Sequence, residues 1–114
     1  MSAEVMEKRS KARVKRELII KLKTGEETKQ VYMIDLSHGG IKIGGSGLVL
    51  AVGSLVEITI VLGRESEVFR GQVERQDGLS RIKRLGIDAN TFYIRISERR
   101  FPEFVKNKFS YLHK

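Results

Sequence analysis

The stretch VEITIVL, Val56 to Leu62, decides the fold class: Val56, Ile58, Ile60 and Leu62 are apolar at every second position, with Glu57 and Thr59 between them. A period of two lines up one set of side chains on one face of an extended chain, whereas a helix needs a period near 3.6. The segment therefore reads as a strand with one buried face. The same period governs its neighbours. Upstream, Leu18, Ile20 and Leu22 alternate with Lys21 and Lys23, Thr24 and Gly25 supply turn chemistry, and a second strand is expected from about Lys29 to Leu36. Ile41 and Ile43 form a short third strand, and the glycine-rich run from Gly44 to Ser54 reads as the connection to the fourth.

Downstream, Gly63 to Glu65 turn the chain into a fifth strand near Val68 to Arg75. Asp77-Gly78 is the strongest two-residue hairpin signal present, and it predicts a turn into a sixth strand through Leu85, Ile87 and Ala89. Six short strands at this spacing predict an all-β fold, a small six-stranded antiparallel β-barrel. The pattern then changes. After Ser97, a residue type that caps helices, Phe101, Phe104, Val105, Phe109 and Leu112 recur at three- and four-residue intervals, and Pro102 is tolerated in a first turn. A C-terminal amphipathic α-helix over residues 97–113 follows, its aromatic stripe packed against the barrel.

With 114 residues, 40% of them apolar and 32% charged, the chain has the balance of one folded domain. It has no cysteine, and His38 and His113 stand far apart in sequence, so a disulfide framework is excluded and a metal site is not expected. No run of about 18 apolar residues provides a membrane span, no apolar segment follows the N-terminal charges, and the expected location is cytoplasmic. Of the net charge of +8, residues 1–23 carry eight Lys/Arg against three Glu. The expected organisation is a flexible basic arm over residues 1–16 and a barrel with its helix over residues 17–114. Such an arm points to an anionic partner.

Between the second and third strands stands IDLSHGGIKI, Ile34 to Ile43, with an acid, a hydroxyl, an imidazole and two glycines at one corner. If the strand runs unbroken into the corner, Asp35 and Ser37 project together on the outer face while Ile34 and Leu36 point inward. Gly40 follows where the backbone turns sharply or is approached closely, and it can offer its N–H to a ligand. Asp35 and Ser37 can equally serve as local turn-holding groups. A second constellation, Arg9-Ser10-Lys11-Ala12-Arg13, sets two guanidinium groups four residues apart just ahead of the first strand. Arginine grips phosphate oxygens and the O6/N7 edge of guanine in the same forked way, and a carboxylate complements the other guanine edge. Together they describe a guanine-nucleotide site.

These two constellations resemble the RxxxR and [DN]xSxxG motifs of the PilZ domain family, which binds the bacterial second messenger cyclic di-GMP. Arg9 to Arg13 matches the first and Asp35 to Gly40 the second, in the family's order and on a six-strand pattern with a terminal helix. The resemblance covers nearly the whole chain from Arg9 onward and implies a split-barrel form. It also implies that Arg9 and Arg13 grip guanine and phosphate, that Asp35 and Ser37 meet the guanine edge and nearby ligand atoms, and that Gly40 serves the tight turn. His38 and Gly39 fall at variable positions and are auxiliary candidates. Lys8 stands where many members carry a further arginine associated with binding the ligand as a stacked pair, which leaves one ligand or two open. The function implied is that of a cyclic di-GMP receptor or adaptor acting on a downstream protein, with no other cofactor.

Catalysis is not expected, because the side chains of neighbouring Ser37 and His38 diverge on an extended chain. The glycine cluster lacks the GK[ST] ending of a phosphate loop and the helix that would follow it. A generic basic nucleic-acid-binding barrel is the main alternative. Tyr32, Phe69 and Phe92 are dispersed, however, which argues against a base-stacking platform. A purely protein-binding adaptor of the same family is a third reading, and the intact motifs speak against it.

Overall fold

The computed structural model describes residues 18–109. Lys8, Arg9, Arg13 and the expected arm lie outside the described residues. Six strands form in sequence order: β1 (Leu18–Thr24), β2 (Glu27–Ser37), β3 (Gly40–Gly44), β4 (Leu55–Leu62), β5 (Glu65–Ile82) and β6 (Ile87–Arg95). They are antiparallel and close into a barrel in the order β1-β2-β3-β6-β5-β4. Closure is made by β1 against β4, where Ile20 pairs with Ile60 and Leu22 with Ile58. All four are buried, so the alternation that marks these strands supplies the barrel interior.

The inward face of β2 does not follow an unbroken period of two. Val31 and Met33 are buried, and so is Leu36, which lies three positions beyond Met33. The register against β3 shifts between Met33 and Asp35, with Met33 opposite Ile43, Asp35 opposite Lys42 and Leu36 opposite Ile41. Ile34 is the extra residue of a bulge. An added residue reverses the parity of the strand. The expectation that Ile34 lies in the core is thus corrected: it is only half-buried, and its Cδ1 stands where a side chain on Gly44 would be, 2.9 Å from that Cβ position. Without the bulge Asp35 would share the inner face of Val31 and Met33.

The predicted hairpin at Asp77-Gly78 is also corrected. β5 runs on for 18 residues, and Asp77-Gly78 forms an irregularity inside it, between the Gln76–Phe92 and Leu79–Asn90 pairs. Gly78 has φ of +79°, a conformation that a side chain disfavours, and its carbonyl accepts a bond from the buried Thr91 Oγ1 at 2.9 Å. The turn comes later, where the N–H groups of Leu85 and Gly86 donate to the Ile82 carbonyl at 3.1 and 2.8 Å. Leu85 therefore belongs to the turn and is exposed, and β6 starts at Ile87. Long-range pairing with β6 has overridden the local turn chemistry.

The connection between β3 and β4 is anchored on β5: Gly53 N–H donates to the Val73 carbonyl at 2.7 Å and Val73 N–H to Ser54 at 2.9 Å. The helix, α1 (Arg100–Phe109), begins three residues later than expected. Ile96 N–H still bonds the Gly39 carbonyl at 3.0 Å, so the chain is held to the barrel there, and Ser97 is no cap. Residues 110–113 of the expected helix lie outside the described residues. Pro102 takes the third helical position, where a missing N–H leaves no helical bond unmade. Phe101, Phe104, Val105 and Phe109 are buried in one core with the strand residues. Phe101 meets Phe69 of β5 edge-on at 4.9 Å, and Phe104 packs on Phe69 at 5.0 Å. On the outside, Arg100 crosses the Phe69 ring at 4.4 Å and bonds Glu67 at 2.7 Å, while Lys108 reaches Glu65.

Candidate functional site

The reversal of parity in β2 determines what the corner presents. Asp35 and Ser37 both line a cavity of about 660 Å3 together with Gly39, Gly40 and Lys42 of the corner, and residues of β5 and β6 form the other side. This volume lies within the range of ordinary small-molecule pockets. Asp35 is only 8% exposed, and its Oδ1 accepts the Leu36 N–H at 3.0 Å. Ser37 Oγ donates to the Gly40 carbonyl at 3.4 Å and stands 3.4 Å from the Tyr93 hydroxyl. Both contacts are long for hydroxyl bonds, so this hydroxyl is weakly held.

Gly40 has a different job from the one its place after a turn suggests. It is buried at the start of β3, and a Cβ built on it would lie 2.2 Å from the Ile94 carbonyl oxygen and 2.6 Å from the Tyr93 hydroxyl. The missing side chain lets β6 come close enough for Tyr93 to reach Ser37. Gly39 is exposed, with Tyr93 at an ordinary 3.5 Å from its Cβ position. His38 is exposed and does not line the cavity. Lys8, Arg9 and Arg13 fall outside the described residues, so the cavity brings together Asp35, Ser37, Gly39 and Gly40 of the sequence-derived candidates.

Barrel closure adds residues that sequence reasoning did not single out. The Val73–Ile94 and Arg75–Tyr93 pairs flank a second register shift, which leaves Glu74 as the extra residue and exposes both Glu74 and Arg75. Arg75 lies over the Tyr93 ring at 4.5 Å, with Nε 3.3 Å from Asp77 Oδ1 and Nη1 3.3 Å from Glu74 Oε2. Lys42 approaches Asp77 at 3.6 Å, and Arg95 approaches Glu74 at 3.6 Å. Lys42, Arg75 and Arg95 thus face Asp35, Glu74 and Asp77: among the described lining residues, three cations meet three carboxylates. The floor has no formal excess of either sign. A sequence signal for Lys42 existed, since it alternates with the buried Ile41 and Ile43, and the adjacent charges at Glu74 and Arg75 mark the break in the period of β5.

Among the described residues, no group of three or more His, Asp or Glu side chains is arranged to hold a metal ion, and no helix is long and apolar enough to cross a membrane.

The sequence matches the PilZ domain over residues 7–100, most of the chain, and the protein belongs to the PilZ domain family. Solved structures share the fold. The structure described as the PilZ domain of YcgR from Escherichia coli with c-di-GMP superposes with a TM-score of 0.69 at 15% identity, over 88% of this chain and 87% of that one. The PilZ domain of CeSA from a cellulose-synthesizing bacterium gives 0.61 at 18% identity, over 89% and 98%. The Bacillus subtilis inhibitor of motility MotI/DgrA gives 0.61 at 15% identity, over 93% of this chain but only 53% of that longer one. No curated protein sequence matches the chain.

Proposed function

We propose that this chain is a cyclic di-GMP receptor that binds its ligand over the cavity at the end of β2 and carries out no catalysis. The observation that supports it most is the sharing of one cavity by Asp35 and Ser37, which the bulge at Ile34 turns outward together. Asp35 accepts from the N1–H and 2-amino donors of guanine, and the weakly held Ser37 hydroxyl rotates to nearby ligand atoms. Family membership and the c-di-GMP that accompanies the similar YcgR domain point to the same molecule.

The charge-balanced floor gives no net attraction to a dianion. The missing positive charge comes from the segment ahead of β1, where residues 8–16 hold six Lys/Arg, among them Arg9 and Arg13. In this proposal the ligand's two phosphates draw that segment across the Asp35–Ser37 face, Arg9 and Arg13 grip guanine and phosphate, and Lys8 adds charge. The barrel over residues 17–114 stays as the rigid half, and the segment over residues 1–16 becomes ordered. The covered face then offers a new surface to a downstream protein.

Calorimetry with cyclic di-GMP against GMP, GTP and a random oligonucleotide tests this. Tight binding of cyclic di-GMP with weak responses to the others is expected. Equal binding of all four with a steep salt dependence would replace it with a nonspecific nucleic-acid binder.

A further inference from the structure

Arg75 is held in an unusual way for a cation beside an anion site. Two of its five donors point to carboxylates, Nε toward Asp77 and Nη1 toward Glu74, each at 3.3 Å. One face of its plane rests on the Tyr93 ring at 4.5 Å. The side chain is nevertheless 51% exposed and lines the cavity, and what it presents there includes the face turned away from Tyr93. Two carboxylates and an aromatic ring together favour one orientation of the guanidinium plane. A flat cation with one open face is well placed to stack on a heteroaromatic ring.

We propose that Arg75, backed by Tyr93, is a stacking shelf for a guanine base of the ligand, so that the site reads the face of a base as well as its edge. This rests on the cyclic di-GMP reading of the same cavity. The shelf is tied to the edge-reading group, because the Tyr93 hydroxyl lies 3.4 Å from Ser37 Oγ, two residues along β2 from Asp35. The tiers of phenol ring, guanidinium and base rest on two places in β5: the register shift at Glu74 sets Arg75 opposite Tyr93, and Asp77, at the second irregularity, places a carboxylate 3.3 Å from Arg75 Nε. A purine gains more than a pyrimidine on such a shelf, since it covers more of the plane.

Arg75→Lys separates face from charge, because lysine keeps the cation within reach of Glu74 and Asp77 but has no plane to stack on. Titration of cyclic di-GMP into the native protein, Arg75→Lys and Arg75→Ala is read both as affinity and as the loss of guanine ultraviolet absorbance that accompanies stacking. Thermal denaturation checks that each variant is folded. Arg75→Lys and Arg75→Ala are expected to bind about tenfold more weakly and to lose the absorbance change. Native-like affinity and absorbance change in Arg75→Lys would overturn the shelf alone, with charge and not the plane as what counts. No binding of cyclic di-GMP by the native protein would overturn the reading of the site and the shelf with it.

Discussion

Gly40 and Ile94 stand so close that a β-carbon on the first would lie 2.2 Å from the carbonyl oxygen of the second. A backbone atom cannot swing aside as the end of a side chain can, so the two strands would have to part. Gly40→Ala is expected to lower unfolding stability by about 1 to 3 kcal/mol. Gly39→Ala, whose new carbon meets Tyr93 at an ordinary 3.5 Å, should stay within about 0.5 kcal/mol of native. Urea denaturation of the pair decides it, and equal midpoints would contradict the close approach.

Asp35→Asn isolates recognition from folding. The amide keeps an oxygen to accept the Leu36 N–H, now made at 3.0 Å, but presents a donor where a carboxylate presents a second acceptor. Cyclic di-GMP affinity should fall by about 1 to 3 kcal/mol with little change in stability. Unchanged affinity by calorimetry would remove Asp35 from the site.

Phe101 is fully buried and touches Phe69 across the junction of α1 and β5. Phe101→Ala should cost about 3 to 5 kcal/mol, seen as a drop in the denaturation midpoint. Arg100→Ala, which removes partly exposed ion pairs with Glu67 and Glu98 and the contact over the Phe69 ring, should cost less, about 1 to 2 kcal/mol.

The proposed ordering of the basic segment by ligand is tested by exchange rates. Amides of residues 7–16 should gain protection from hydrogen exchange when cyclic di-GMP is added, and Arg13→Ala should weaken both the protection and the affinity. Equal protection with and without ligand would refute the ordering step.

The barrel was legible where packing and pattern agree. β1 and β4 alternate cleanly because each has one face in the core, and their pairing through Ile20–Ile60 and Leu22–Ile58 follows from that pattern. The helix was legible from its phenylalanines, though not its start, because the bond from Ile96 to Gly39 that delays it joins residues far apart in sequence. Bulges were the blind spot. An extra residue at Ile34 or Glu74 satisfies every local propensity and reveals itself only against a partner strand. Asp77-Gly78 reads as a turn for good local reasons, yet the pairing of Leu79 to Ile82 with Ile87 to Asn90 outweighs them. Of the candidate site, Asp35 and Ser37 could be read because one short stretch of sequence holds both, whereas Arg75 and Tyr93 meet only when the barrel closes.

Beyond Gln72 the long strand β5 leaves β4 behind, and β6 before Thr91 has no pairing with β3. Among the described residues, Leu79 to Ile82 and Ile87 to Asn90 form a two-stranded ribbon that pairs with no third strand. Open edges recruit strands from other molecules, and proteins that keep them guard them with kinks and charge. The kink at Asp77-Gly78 and the cations Arg81, Lys83 and Arg84 near the tip are such guards. Straightening and neutralising the ribbon would leave the protein prone to self-association.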